Sequence, residues 1–222
     1  MKSISQKIAS IEREIPQNVR LIAITKQVGI EAIREAYAAG IRDFGENRLQ
    51  EAIAKQEALR DLKDIQWHFI GHIQKNKARK IVEHFSWIHS LDSLALAQRI
   101  NRLAAELKLM PKVFVQVKIL PDPNKYGWSA AELLSDLKLL RQCNRLDFCG
   151  LMTILPWGLS APEALNAFQE VANLSTKIRA SNDWKMSLPE LSMGMSGDYK
   201  LAIEAGATQI RLGRTIFGER QK

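Results

Sequence analysis

Short apolar or β-branched runs alternate with longer stretches of helical period almost from one end of the sequence to the other. The runs at 21–24, 43–44, 67–70, 87–90, 113–118, 148–152, 190–192 and 209–212 read as strands. Several are apolar throughout, the pattern of a strand buried on both faces. Between 30 and 39, Ile33, Ala36 and Tyr37 recur at helical spacing. That stretch stops at Gly40, a residue suited to the left-handed position after a helix. Residues 94–109 repeat Leu94, Ala97, Ile100, Ala104 and Leu107 with charges between, and Asp92 or Ser93 stands where a cap is needed. Ser129 is followed three residues later by Glu132, a capping-box pattern. Pro162 lies just inside the start of a helix that runs to residue 180.

Strands that alternate with helices predict a parallel sheet covered on both faces. Eight such units predict an α/β chain folded as a single-domain (β/α)8 TIM barrel over residues 1–222. An open doubly wound sheet has the same periodicity and is the alternative. An extra N-terminal helix over residues 1–15 precedes the first strand and is expected to cover one barrel end. No internal repeat, linker or low-complexity segment interrupts the pattern.

Composition narrows the picture. A length of 222 residues suffices for one full core, and 46% hydrophobic with 25% charged residues is ordinary for a globular chain. No run approaches the roughly 18 apolar residues of a membrane span. The N-terminus, Met1-Lys2-Ser3-Ile4-Ser5-Gln6-Lys7, has no apolar segment of the secretory kind, so a cytoplasmic location is expected. Cys143 and Cys149 match neither a redox nor a zinc spacing and read as buried small hydrophobes in a reducing compartment. The net charge of +8 favours weak attraction to polyanions and suits a phosphorylated ligand. It does not establish nucleic-acid binding. The densest basic stretch, Lys75, Lys77, Arg79 and Lys80, is interleaved with Ala78, Ile81 and Val82 and reads as a solvated helix face.

In a barrel, the segments that follow the strands' C-terminal ends build the site. Lys26 follows the apolar run Leu21-Ile22-Ala23-Ile24, so its stem starts near the core. Burial there would disfavour the ammonium and free the amine for attack on a carbonyl. The competing reading is a strand-end lysine with its head in water. The segments after strands seven and eight both carry glycines, and a phosphate site in these two places recurs in this fold. Glycines let backbone N–H groups approach phosphate oxygens, so Ser196 and Thr215 would add hydroxyls beside the amides of Gly197 and Gly213. Two ordinary turns are the alternative. Arg211 ends strand eight. Against the pyridine nitrogen of pyridoxal phosphate (PLP) it would donate a hydrogen bond and keep that nitrogen unprotonated, where an aspartate would strengthen the electron sink. A salt bridge is its alternative role. His68 and His72 flank a strand and a glycine, so a helical zinc motif is not expected. One of them is placed near the ligand ring and the other in structural hydrogen bonding. Asn47 is a partner for a ring hydroxyl or a helix cap, and Met152 and Tyr199 are candidate walls, with core packing the simpler reading of Met152.

Several stretches together resemble the pyridoxal phosphate homeostasis protein family. They are Leu21-Ile22-Ala23-Ile24-Thr25-Lys26, Phe44-Gly45-Glu46-Asn47, Trp67-His68-Phe69-Ile70-Gly71-His72-Ile73-Gln74 and Asn76-Lys77. Gly150-Leu151-Met152-Thr153, Leu191-Ser192-Met193-Gly194-Met195-Ser196, Ile210-Arg211-Leu212-Gly213 and Ile216-Phe217-Gly218 continue the series. The resemblance implies one PLP barrel of fold type III, similar to the N-terminal domain of alanine racemase, with the Schiff base on Lys26. It implies phosphate contacts at Ser196, Gly213 and Thr215 and places Arg211 near the pyridine nitrogen. The candidate cofactor set is Lys26, Asn47, His68, Met152, Ser192, Ser196, Gly197, Arg211, Gly213 and Thr215, with no metal ligand and no catalytic group. Arg214 departs from the family's usual Ser or Thr, and the segment Asn124-Lys125-Tyr126-Gly127 keeps its Lys-x-Gly core.

The resemblance implies a role in vitamin B6 and amino-acid homeostasis without established turnover. The chain ends at Lys222, soon after the eighth strand, so no second domain is expected to supply an opposing acid or base. The alternatives are a weak PLP-dependent amino-acid racemase and a barrel that binds a phosphorylated metabolite or nucleic acid without covalent chemistry. PLP itself and apo PLP-enzymes are the expected partners, nucleic acid and membrane are not, and a monomer is expected, although the sequence does not decide the oligomeric state.

Overall fold

A computed structural model describes residues 2–122, 125–181, 184 and 188–219. Eight parallel strands close into a barrel in sequence order, β1-β2-β3-β4-β5-β6-β7-β8. They are β1 (Arg20–Ile24), β2 (Asp43–Glu46), β3 (Gln66–Phe69), β4 (Trp87–Leu91), β5 (Lys112–Gln116), β6 (Asp147–Met152), β7 (Glu190–Ser192) and β8 (Gln209–Leu212). Closure is carried by β1 against β8, with Leu21 opposite Ile210 and Ala23 opposite Leu212. The open-sheet alternative is excluded by that pairing.

The helices are α1 (Ile4–Glu14), α2 (Ile30–Ala38), α3 (Leu49–Ala58), α4 (Ala78–His84), α5 (Leu94–Leu107), α6 (Ala130–Leu140), α7 (Ala161–Arg179), α8 (Tyr199–Glu204) and α9 (Arg214–Phe217). Their local signals work as read. Gly40 takes φ +107° after α2. Ser129 Oγ accepts from Glu132 N at 3.3 Å while Glu132 Oε2 accepts from Ser129 N at 2.9 Å. Pro162 sits in the first turn of α7. Ser93 is the N-cap of α5 but makes no side-chain cap bond, and the helix stops two residues early because Lys108 turns left-handed at φ 56°. Helix α1 packs Ile8 and Ile11 into the core and lies against α2 and α9, bridging the first and last helices of the outer ring.

Alternation along the strands divides the interior into two cores. Outward residues such as Ala23, Phe44, Ile88, Val113 and Ile210 pack with helix residues Ile33, Ala52, Ile81, Ile100 and Val171. A smaller cluster of Trp87, Phe114, Cys149 and Met152 fills part of the barrel itself. Met152 is therefore a core residue. Cys143 and Cys149 are buried, as expected, and burial pushes the Cys149 thiol up to about 12. On the basic stretch, Ala78, Ile81 and Val82 face the core while Lys75, Arg79 and Lys80 lie in solvent.

Strand β2 is two residues longer than the apolar run suggests, because it includes Gly45. A Cβ there would lie 2.5 Å from Ile24 Cδ1. The glycine thus makes room inside the barrel for the end of β1.

Ile100, fully buried on α5, has no space to collapse into, and Ile100→Ala is expected to cost about 2–5 kcal/mol. Ser129→Ala, which removes only a cap, should cost about 1 kcal/mol. Urea unfolding of both variants measures the contrast, and near-equal losses would contradict this packing.

Candidate functional site

Lys26 stands where β1 ends. Thr25 O accepts from Val28 N at 2.9 Å, which closes a turn with Lys26 and Gln27 at its centre. Gln27 takes φ 60°, a left-handed conformation that costs a non-glycine residue on the order of 1–2 kcal/mol. A buried network holds it there. Gln27 N donates to Glu51 Oε1 at 2.6 Å. Lys55 Nζ, on α3, donates to Thr25 O at 2.6 Å, to Glu46 Oε1 at 2.7 Å and to Glu51 Oε1 at 2.6 Å. Thr25 Oγ1 donates to the same Glu46 oxygen at 2.6 Å. Strand parity sets Ile22, Ile24 and Lys26 in one inward row, with Thr25 on the outward side where this network lies. Lys26 itself is half-buried.

The other expected residues gather at the same end of the barrel. Asn47 follows β2, directly beside the end of β1 because Ile24 pairs with Gly45. Its backbone is covered by Gly71, where a Cβ would stand 2.2 Å from Asn47 O, so no larger residue fits. Asn47 Oδ1 is buried and has no hydrogen-bond partner. After β7, Gly194 takes φ +92°, and a Cβ would meet Ala202 Cβ at 2.6 Å. Met195 N donates to Asp198 Oδ1 at 2.6 Å, which shapes the segment holding Ser196 and Gly197. Thr215 N donates to Ser196 Oγ at 3.4 Å, so the segments after β7 and β8 meet. Space beside Gly197 is open, and a Cβ on Gly213 would lie 3.4 Å from Ile24 O, two residues from Lys26. Lys26, Asn47, Ser196, Gly197, Gly213 and Thr215 therefore line one rim.

Arg211 lies inside the barrel, 3% exposed. Its Nη1 donates to Ser192 Oγ at 2.6 Å and its Nη2 to Thr153 O at 2.8 Å. Burial lowers it to about 10, partly offset by Asp198, so it stays cationic near neutrality. A guanidinium carries five N–H donors, more than these two bonds use.

Other expected residues are placed differently. His68 was expected near the ligand ring. It is fully buried, with Nε2 against Asp43 Oδ1 at 2.8 Å and Nδ1 against His89 Nε2 at 2.9 Å, so both nitrogens are used inside the barrel. Ser192 is also fully buried, its hydroxyl between Arg211 and His89 Nδ1. Met152 packs with Trp87 and Phe114. Tyr199 turns away from the rim, donating its hydroxyl to Glu14 Oε2 at 3.3 Å on α1. His72 carries the structural hydrogen bond instead, 3.0 Å from Asp92 Oδ2, and stacks on the Tyr126 ring. Arg214 is half-exposed, 6.0 Å from the Trp157 ring and 3.7 Å from Glu219, rather than paired within the Ser196 segment. Asn124 lies outside the described residues. Lys55 and His89 carry no signal in the sequence, and Glu46 stands there within Phe44-Gly45-Glu46-Asn47 without an assigned role. Glu51 and Lys55 have helical i,i+4 spacing, but that pattern normally marks a surface pair.

The sequence matches the alanine racemase N-terminal domain family over residues 1–221. A protein of Synechocystis sp. named pyridoxal phosphate homeostasis protein is 54% identical over 206 residues, 93% of this chain and 94% of that one. The chain belongs to the pyridoxal phosphate homeostasis protein family. Among solved structures of this family, PipY of Synechococcus elongatus with PLP bound is 49% identical at TM-score 0.92, covering 97% of this chain and 100% of that chain. Alanine racemase of Clostridium difficile, 14% identical, shares the fold at TM-score 0.72 over 99% of this chain and 57% of its own.

The network under Lys26 yields a pH-dependent prediction. Burial raises the Glu46 carboxyl above its ordinary range, opposed by Lys55 and Thr25. Glu51 feels burial too, but Lys55 and the Gln27 amide outweigh it and hold that carboxyl low. Lys55→Met strands Glu46 as a buried charge, and breaking such a pair costs about 3–5 kcal/mol. The raised carboxyl takes up a proton as pH falls towards its folded value, which relieves the stranded charge. Glu51, held low, stays charged over this range and loses its stabilising contribution only in stronger acid, below its ordinary value. The deficit of Lys55→Met should therefore be full at pH 8 and smaller near pH 5. Urea unfolding at the two values tests this, and a deficit that grows in acid would contradict the network.

Proposed function

We propose that this chain binds pyridoxal phosphate covalently through Lys26 and holds it for release within vitamin B6 and amino-acid homeostasis, as one barrel unit in the cytoplasm, without efficient turnover. The observation that carries the reading is the assembly of half-buried Lys26 with the joined Ser196 and Thr215 segments and cationic Arg211 at one end of the barrel. The unpartnered Asn47 Oδ1 adds a fit test, because a buried amide without a partner is costly unless a ligand meets it. Homologues carry the homeostasis name, and the Synechococcus relative was solved with PLP bound.

The residues divide the work. Bound pyridoxal phosphate supplies an aldehyde that condenses reversibly with amines. Lys26 provides the amine. Ser196, Gly197, Gly213 and Thr215 would hold the phosphate by hydroxyl and backbone N–H donors, and Asn47 would meet the ring hydroxyl. Arg211 would face the ring nitrogen, donate to it and leave it without a proton. A carboxylate there would favour electron withdrawal, so an arginine favours retention over amino-acid chemistry. Apo PLP-enzymes are the natural recipients of a held cofactor. Among the described residues, no helix is long and apolar enough to cross a membrane.

Purified protein should be yellow, and borohydride should fix the cofactor's mass onto the peptide carrying Lys26. Lys26→Ala should remain folded and lose the covalent label. Label on another lysine would overturn the assignment. Sustained racemisation of an amino acid, abolished by Lys26→Ala, would favour the enzyme reading instead.

A further inference from the structure

A row of hydrogen-bonded side chains crosses the barrel interior from Arg211 to the opposite end. Arg211 Nη1 reaches Ser192 Oγ at 2.6 Å, and Ser192 Oγ lies 2.8 Å from His89 Nδ1. His89 Nε2 lies 2.9 Å from His68 Nδ1, and His68 Nε2 lies 2.8 Å from Asp43 Oδ1. Asp43 opens β2 and also accepts from Arg20 Nη1 at 3.1 Å. It lines a cleft of about 390 Å³ between the end of α1 and the start of β2. His68, His89 and Ser192 are fully buried.

The chemistry of these groups fixes the direction of the row. A neutral imidazole has one donor and one acceptor nitrogen. The Asp43 carboxylate only accepts, so His68 Nε2 carries hydrogen and Nδ1 accepts from His89 Nε2. His89 Nδ1 then accepts, which obliges the Ser192 hydroxyl to donate to it and to present a lone pair to Arg211. Every hydrogen points from Arg211 towards Asp43. The reverse order would need His68 protonated on both nitrogens. Burial opposes that charge and holds both histidines below their ordinary range; His68 gains from Asp43 but loses from Arg20 and Lys112, and Arg211 and Arg20 act against His89.

We propose that His68, His89 and Ser192, with Asp43 as their terminal acceptor, are positioning residues for Arg211, fixing its guanidinium through a one-directional hydrogen-bond relay. The relay answers a specific problem. A carboxylate in direct contact would hold Arg211 firmly but would neutralise the charge it presents to a ligand. Here its two bonds go to the uncharged acceptors Ser192 Oγ and Thr153 O, the hydrogen-bonded carboxylate of Asp43 stands at the far end of the row, and Asp198 acts on the guanidinium through space. This inference rests on the reading that Arg211 faces the cofactor ring.

Histidine ¹⁵N NMR of the cofactor-free native protein at pH 7 reads the relay without any ligand. His68 and His89 should both be neutral with hydrogen on Nε2, and hydrogen on either Nδ1 would overturn the proposal. His89→Phe, whose ring fits against Phe114, removes the acceptor for Ser192. It should weaken PLP binding about tenfold, of the order expected for one charge-assisted hydrogen bond, and shift the absorption maximum of the bound cofactor. His89→Asn can still accept from Ser192 and should recover much of both. Unchanged affinity and spectrum in His89→Phe would sink the relay while leaving cofactor binding intact. A native protein that takes up no PLP would sink both readings, which separates the two failures. Were His89→Phe unable to fold, the NMR tautomers and the spectrum of His89→Asn, expected close to native, would still decide.

Discussion

A closed sheet of eight parallel strands, ringed by helices, cuts its interior off from bulk solvent. A polar side chain placed inside is costly unless it is hydrogen-bonded there. This constraint accounts for the arrangement around Arg211. Ser192, His89 and His68 pass its hydrogen-bond demand inward to Asp43, and Thr153 O takes a second donor. Beside the row, Trp87 and Phe114 stack with the imidazoles and keep the surroundings apolar. The same constraint acts outside the sheet, where Glu46, fully buried behind β2, is met by Lys55 and Thr25.

Two lysines stand near the end of β1, and their surroundings separate their roles. The three N–H donors of Lys55 are matched by Thr25 O, Glu46 Oε1 and Glu51 Oε1, all within 2.7 Å. An ammonium held in that way is a structural cation. Its service is to the backbone, because Thr25 and, through Glu51, Gln27 are the residues on either side of Lys26. The left-handed turn at Gln27 persists only because these contacts over-determine it. Stiffness at Lys26 thus comes from behind the strand.

Much of this architecture was legible in the sequence, since it follows from local periodicity and from capping residues that act over three or four positions. The eight strands, the stop at Gly40 and the Ser129 cap are of this kind. Barrel closure was expected from the count of units but is itself a pairing between the two ends of the chain. The shared location of Lys26, Asn47, Ser196, Gly213 and Thr215 was readable because a parallel barrel puts every strand's C-terminal end on one side. What the sequence hid was depth. His68 and Ser192 lie within the strand segments that end at the rim, yet they sit below it with their polar atoms already committed. His89, two residues after Trp87, carries the same inward parity and drew no notice beside a motif-bearing strand. Lys55 looks like a surface charge because its helix spacing says nothing about what covers it.

Depth also bears on how the proposed site would combine rigidity with exchange. The rim groups proposed to touch a ligand, Lys26, Asn47, Ser196 and Thr215, are half-buried, and the Thr215 amide joins Ser196 at 3.4 Å. The groups beneath them are fully enclosed and hydrogen-bonded in series. A ligand entering at the rim meets donors whose orientation has been set before it arrives, so little ordering remains to oppose binding. Release would break contacts with Lys26, the rim segments and Arg211, while Arg211 has bonds of its own to Ser192 and Thr153. On the proposed reading, a barrel built in this way would hold a reactive cofactor at its rim and release it with the bonds of Ser192, His89 and His68 already made inside.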